Sequence, residues 1–262
     1  MKFSLKTLAA VVALAAAAGS ASAAIDNGAF NPVVNDGNGE LFFSAWDGVK
    51  SYNYDMNISI NAFETAVAAT GKVNLAWGTD FTSSYGSWLT NANTSSLQWS
   101  VLATDTDGQR RILTTVGATL LPANNNASDV LRTAASNIQT YINNVNPILT
   151  GDFAVTESNS AASYAGKMGD KIYGKFNFDT SASFANDSYA DGVAFQKTLA
   201  NSAGFTKGTN NAYFDDGVAV RSWVDSDGLH IAAVPEPSEY AMLLAGLGLM
   251  GVVARRRSQN QA

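Results

Sequence analysis

The stretch SLQWSVLATDTDGQRRILTTVGATL (96–120) constrains the fold of this chain more than any other. Leu97, Trp99, Val101 and Ala103 recur with period two, the spacing that puts side chains on one face of a β-strand. Asp107-Gly108 then supplies a turn pair before RRILTTV runs back. The same grammar repeats along the chain. ELFFSAW (40–46) and VKSYNYDM (49–56) flank Asp47-Gly48, KVNLAW (72–77) and KIYGKFNFD (171–179) alternate, and VAVRSWVDSDGLHIAAV (218–234) turns at Asp227-Gly228. A chain of 262 residues with no cysteine has no disulfide to staple it, so these strands must close an ordinary core.

Two segments break the alternation. Val130, Leu131, Ala134, Ala135, Ile138, Tyr141, Ile142 and Val145 fall at helical spacing behind Ser128, a candidate N-cap, and Pro147 follows. NAFETAVAAT (61–70) has the pattern of a shorter helix. The expectation is one mainly-β domain over 24–233, a jelly-roll-like β-sandwich carrying an amphipathic helix.

Residues 1–23 have the form of a secretory signal peptide. Lys2 and Lys6 precede an apolar stretch from Leu8 to Ala18, and Ala21-Ser22-Ala23 provides the small-x-small pattern that predicts cleavage after Ala23. Between Ala24 and Ala233, 17 aspartates and 3 glutamates face 7 lysines and 4 arginines, a net charge of −9. Nucleic acid is excluded as a principal partner, because phosphate binding needs a basic footprint.

Catalytic signals are sparse. The single histidine, His230, lies in a strand pattern on the face opposite Leu229, Ile231 and Ala233, and no G-x-S-x-G elbow accompanies it. One histidine and no cysteine cannot build a zinc site of the usual kind. The D-x-D-G turns place Asp105, Asp107, Asp225 and Asp227 as weak calcium candidates, without the glutamate of an EF-hand loop. Glu40, Glu64 and Glu157 are the glutamates from which a carboxylate-based polysaccharide-degrading enzyme would have to be built. Tyr85 and Trp88, in the polar stretch SSYGSWLTNANTSS (83–96), are read as a surface loop able to stack on a glycan.

The last 29 residues (234–262) differ in kind from the rest. Val234-Pro235-Glu236-Pro237-Ser238 is extended, because each proline disfavours helix at the residue before it. The apolar stretch 239–254 follows; its uncharged part, Tyr240 to Ala254, would measure about 22 Å as a helix. Arg255, Arg256 and Arg257 then hold the cytoplasmic side, leaving the domain outside. GLGLMG (246–251) matches a dinucleotide fingerprint by letter, but no strand and following amphipathic helix surround it.

This arrangement resembles the PEP-CTERM sorting signal of Gram-negative bacteria, with Glu239 where that family often has a small polar residue. The resemblance implies recognition by an exosortase, a membrane-embedded cysteine-type transpeptidase or protease. It also implies an inner-membrane-anchored intermediate and a cell-surface or extracellular destination, often alongside exopolysaccharide in a biofilm. The leading expectation is a non-enzymatic exported matrix protein. A glycan- or calcium-binding adhesion module and a polysaccharide-degrading enzyme stay open.

Overall fold

The computed structural model describes residues 24–29, 37–69, 73–105, 110–116, 128–167, 182–183, 192–200, 209–212, 214–215, 218–233, 247 and 250. In chain order the strands are β1 (Glu40–Trp46), β2 (Ser51–Ser59), β3 (Asn74–Trp77), β4 (Gln98–Thr104), β5 (Arg111–Val116), β6 (Phe153–Thr156), β7 (Ala182–Ser183), β8 (Val193–Leu199), β9 (Thr209–Ala212), β10 (Phe214–Asp215), β11 (Val218–Val224) and β12 (Leu229–Ala233). The helices are α1 (Ile60–Ala68), α2 (Thr79–Leu89) and α3 (Ser128–Val145). The alternating segment 171–179 lies outside the described residues.

The strands form one antiparallel sheet in the order β3-β12-β11-β8-β5-β4-β1-β2-β6, with β9, β7 and β10 added beside β8, β4 and β11. The fold is mainly β, as the alternation predicts, but the expected sandwich is corrected: a single sheet curls into a half-barrel. Its two ends approach each other, for the indole nitrogen of Trp77 on β3 donates to the Met56 carbonyl on β2 at 2.9 Å. Helices α1 and α2 fill the concave face where a second sheet would have packed.

That concave core is aromatic. Phe43 lies between Tyr52, Phe81, Tyr85 and Trp99, with ring centroids 5.2 to 6.3 Å apart. Leu97, Trp99, Val101 and Ala103 all point into it, the face their spacing predicts. The convex face is covered by α3, whose Leu131, Ala134, Ala135, Ile138, Tyr141, Ile142 and Val145 pack on Phe42, Trp46, Leu102 and Ile112. Polar side chains are buried there too. Asn53 accepts hydrogen bonds from the Ser44 hydroxyl at 2.6 Å and the Tyr141 hydroxyl at 2.7 Å.

An N-terminal strap, residues 24–29, closes this second core. Ile25 is buried, and Asn146 grips its backbone twice, accepting from its amide and donating to its carbonyl at 3.0 Å each. Gly28, at φ +67°, passes so close to β4 that a Cβ would collide with the Thr104 carbonyl.

Candidate functional site

The sequence candidates within the domain are dispersed, and most are engaged internally. Tyr85 and Trp88 do not sit on a surface loop. They belong to α2, where Phe81, Tyr85 and Trp88 recur at helical spacing and turn into the concave core with 0%, 4% and 6% exposure. Tyr85 and Trp88 stack with ring centroids 5.7 Å apart, so the expectation of an exposed stacking pair is corrected. Part of Trp88 reaches the wall of a shallow groove of about 260 Å³ between α2 and β6, which Ser84, Ser87, Asn91, Phe153 and the Lys50–Glu157 ion pair also line.

The acidic turns hold themselves. Asp105 receives the Arg111 amide at 2.7 Å and its Nε at 2.8 Å. Arg111 in turn reaches Glu64 at 2.8 Å, and Lys197 joins Glu64 at 2.6 Å. Asp225 accepts from the Asp227 and Gly228 amides, from the Trp223 indole and on the His230 ring. Burial works against the Asp225 carboxylate, but those donors outweigh it and hold its pKa below the usual range. Asp227-Gly228 makes the turn, Gly228 at φ +143°. Asp107 lies outside the described residues. Among the described residues no three acidic or histidine side chains converge on one point.

The glutamates are separated by role. Glu40 accepts the Asp26 amide at 2.8 Å, Glu64 closes the Arg111–Lys197 network, and Glu157 pairs with Lys50. His230 lies on the convex side of β12, stacked on Trp223 at 4.9 Å. A carboxylate that the sequence did not single out is the most perturbed: burial pushes Asp55 up to about 7, against the Asn57 amide, with Glu40 and Asp152 adding to the rise. One of its oxygens has no hydrogen-bond partner among the described residues. Its signal was already present, an acid in the alternating strand SYNYDMNIS.

The last described strand is β12. That strand is internal to the sheet, paired with β11 through Val220↔Ala233 and with β3 through Ala232↔Asn74. The Ala233 amide donates to the Val73 carbonyl at 3.1 Å, and Val234-Pro235 follows directly. Proline has no N–H with which to continue the ladder. A family model described as the PEP-CTERM protein-sorting motif matches residues 233–257. This is a PEP-CTERM sorting domain-containing protein. No curated protein and no solved structure matches the chain.

The PEP-CTERM motif implies an exported protein, sorted to the cell surface and processed by exosortase, a membrane enzyme. The matched motif starts at residue 233, which is also the last residue of β12. The signal-peptide residues Ala21 and Ala23, the motif Val234, Pro235, Glu236, Pro237 and Ser238, and the anchor Arg255, Arg256 and Arg257 lie outside the described residues. Among the described residues no helix is long and apolar enough to cross a membrane. Leu247 and Met250 of the tail are helical and exposed, at 52% and 63%.

Proposed function

We propose that this chain is a non-enzymatic cell-surface or extracellular-matrix protein, exported by residues 1–23, held briefly by its tail in the inner membrane, and processed there. Its setting is an exopolysaccharide-rich biofilm. The observation that carries the reading is the junction at Ala233: the last described strand of the sheet ends at the residue where the sorting motif begins. Processing beyond that point releases the domain without opening its core. Cleavage after Ala23 leaves Ala24 exposed and Ile25 in its seat, so the strap is whole as well.

Deleting 234–262 tests this. The expected outcome is a folded domain that no longer passes through the membrane fraction or reaches the cell surface; unchanged fractionation would contradict it.

A second reading, glycan binding, draws on the groove beside α2. Its Trp88 and Phe153 walls with a rim of Ser84, Ser87 and Asn91 combine apolar and hydrogen-bonding surface, as a sugar ring requires. A glycan array on the purified domain, with Asn91→Ala and Ser87→Ala as controls, discriminates the two.

A further inference from the structure

We infer that the α1 end of the half-barrel is the end that faces the membrane while the tail is anchored, and that it rests there on lipid headgroups. The inference depends on the reading of 239–254 as membrane-inserted. Six residues, 234–239, separate the last ladder bond from the uncharged run that starts at Tyr240. Fully extended they span at most about 20 Å. The point where β12 leaves the sheet is therefore tethered close to the bilayer.

Strand register identifies what else lies at that end. The C-terminus of β12 adjoins the N-termini of β3 and β11, through Ala232↔Asn74 and Val220↔Ala233. Around the curl follow the C-terminus of β8 and the N-terminus of β5, paired Leu199↔Arg111. Next come the C-terminus of β4 and the N-terminus of β1, and then the C-terminus of β2, paired Glu40↔Ser59, which runs straight into α1. Side chains bridge the same end, for Lys197 on β8 and Arg111 on β5 both reach Glu64 on α1. The Asp47-Gly48 and Asp227-Gly228 turns occupy the other end, about 20 Å away for strands of this length.

The helix surface at this end is uncharged. The exposed positions of α1 and its C-cap are Asn61, Thr65, Ala68 and Ala69, all uncharged. The acid between them, Glu64, is neutralised by two cations, and Arg110 lies nearby at the start of β5. Asp26, an exposed acid on the strap, turns its carboxylate back onto the Gly28 amide. The far end exposes Asp80, Asp225 and Asp227. In a domain of net charge −9, the end that the tether draws towards the bilayer offers the uncharged surface of α1 beside Asp26 and β10, while the exposed Asp80, Asp225 and Asp227 lie at the far end.

The cysteine-free chain makes the test clean. Single-cysteine variants Ala68→Cys and Val49→Cys, both at exposed positions at opposite ends, are produced as the anchored protein in a host lacking exosortase. Each is labelled with a fluorophore and reconstituted into phosphatidylethanolamine–phosphatidylglycerol vesicles carrying a nitroxide headgroup lipid, after matching its melting midpoint to the parent. Quenching several-fold stronger at position 68 than at 49 is expected. Flotation with the vesicles but equal quenching, or stronger quenching at 49, overturns the orientation alone. Failure to float with the vesicles overturns the membrane reading of the tail, and the orientation with it.

Discussion

The two faces of the sheet are both buried, but by different chemistry. The concave face is filled with rings and aliphatic chains from β1, β2, β4, α1 and α2, and its stability comes mainly from removing apolar surface from water. The convex face under α3 mixes apolar side chains with a row of polar ones, among them Ser44, Asn53, Asp55, Thr114, Gln196 and Thr198. Polar burial costs free energy unless hydrogen bonds replace the lost water. Asn53 meets that condition on its oxygen through Ser44 and Tyr141; Asp55 meets it incompletely. One face of each strand therefore supplies stability, and the other specifies where α3 docks.

That contrast can be broken most severely in the concave core. Phe43→Ala, at a fully buried ring with four aromatic neighbours, is expected to cost about 4 kcal/mol in denaturant unfolding. Ile138→Ala, the matching deletion in α3 on the convex side, is expected to cost about 3 kcal/mol and leave the sheet's own pairing intact. Comparable loss of all structure at lower cost in the first variant would reverse the assignment of the two faces.

Asp55→Asn is expected to act in the opposite direction. The carboxyl group titrates at about 7 in the fold and near 4 when unfolded, so the native state holds a proton that the unfolded chain releases. Stability should fall as pH rises from about 4 to about 7 and level off above that. Asparagine keeps an acceptor for the Asn57 amide without the charge, and should raise stability at pH 8 by about 2 kcal/mol. At pH 4 the variant and parent should melt together. The smallest effect is expected from Tyr141→Phe, about 1 kcal/mol, because Asn53 keeps the Ser44 hydroxyl.

What could be read in the sequence follows from what periodicity encodes. The facing of Leu97, Trp99, Val101 and Ala103, the Asp47-Gly48 and Asp227-Gly228 turns, and α3 all follow from local spacing, and the structure has them. Curling was not legible, since alternation reports which residues share a face and not how the sheet closes. Helix α2 was obscured by composition. TDFTSSYGSWL is rich in serine, threonine and glycine, weak helix formers, although Phe81, Tyr85 and Trp88 already carried the helical stripe. Alternation normally marks one wet face, but in β2 the polar face is covered by α3 through Tyr141. The sorting motif needed no fold to be recognised, since its parts follow one another in the sequence.

The central claim is that a complete domain ends where its address label begins. Intact-mass measurement of protein recovered from the cell surface and medium tests it most directly. The expected species starts at Ala24 and lacks Arg255-Arg256-Arg257, with its C-terminus beyond Ala233. A mass equal to the 262-residue chain, or a terminus inside β12, would contradict the account.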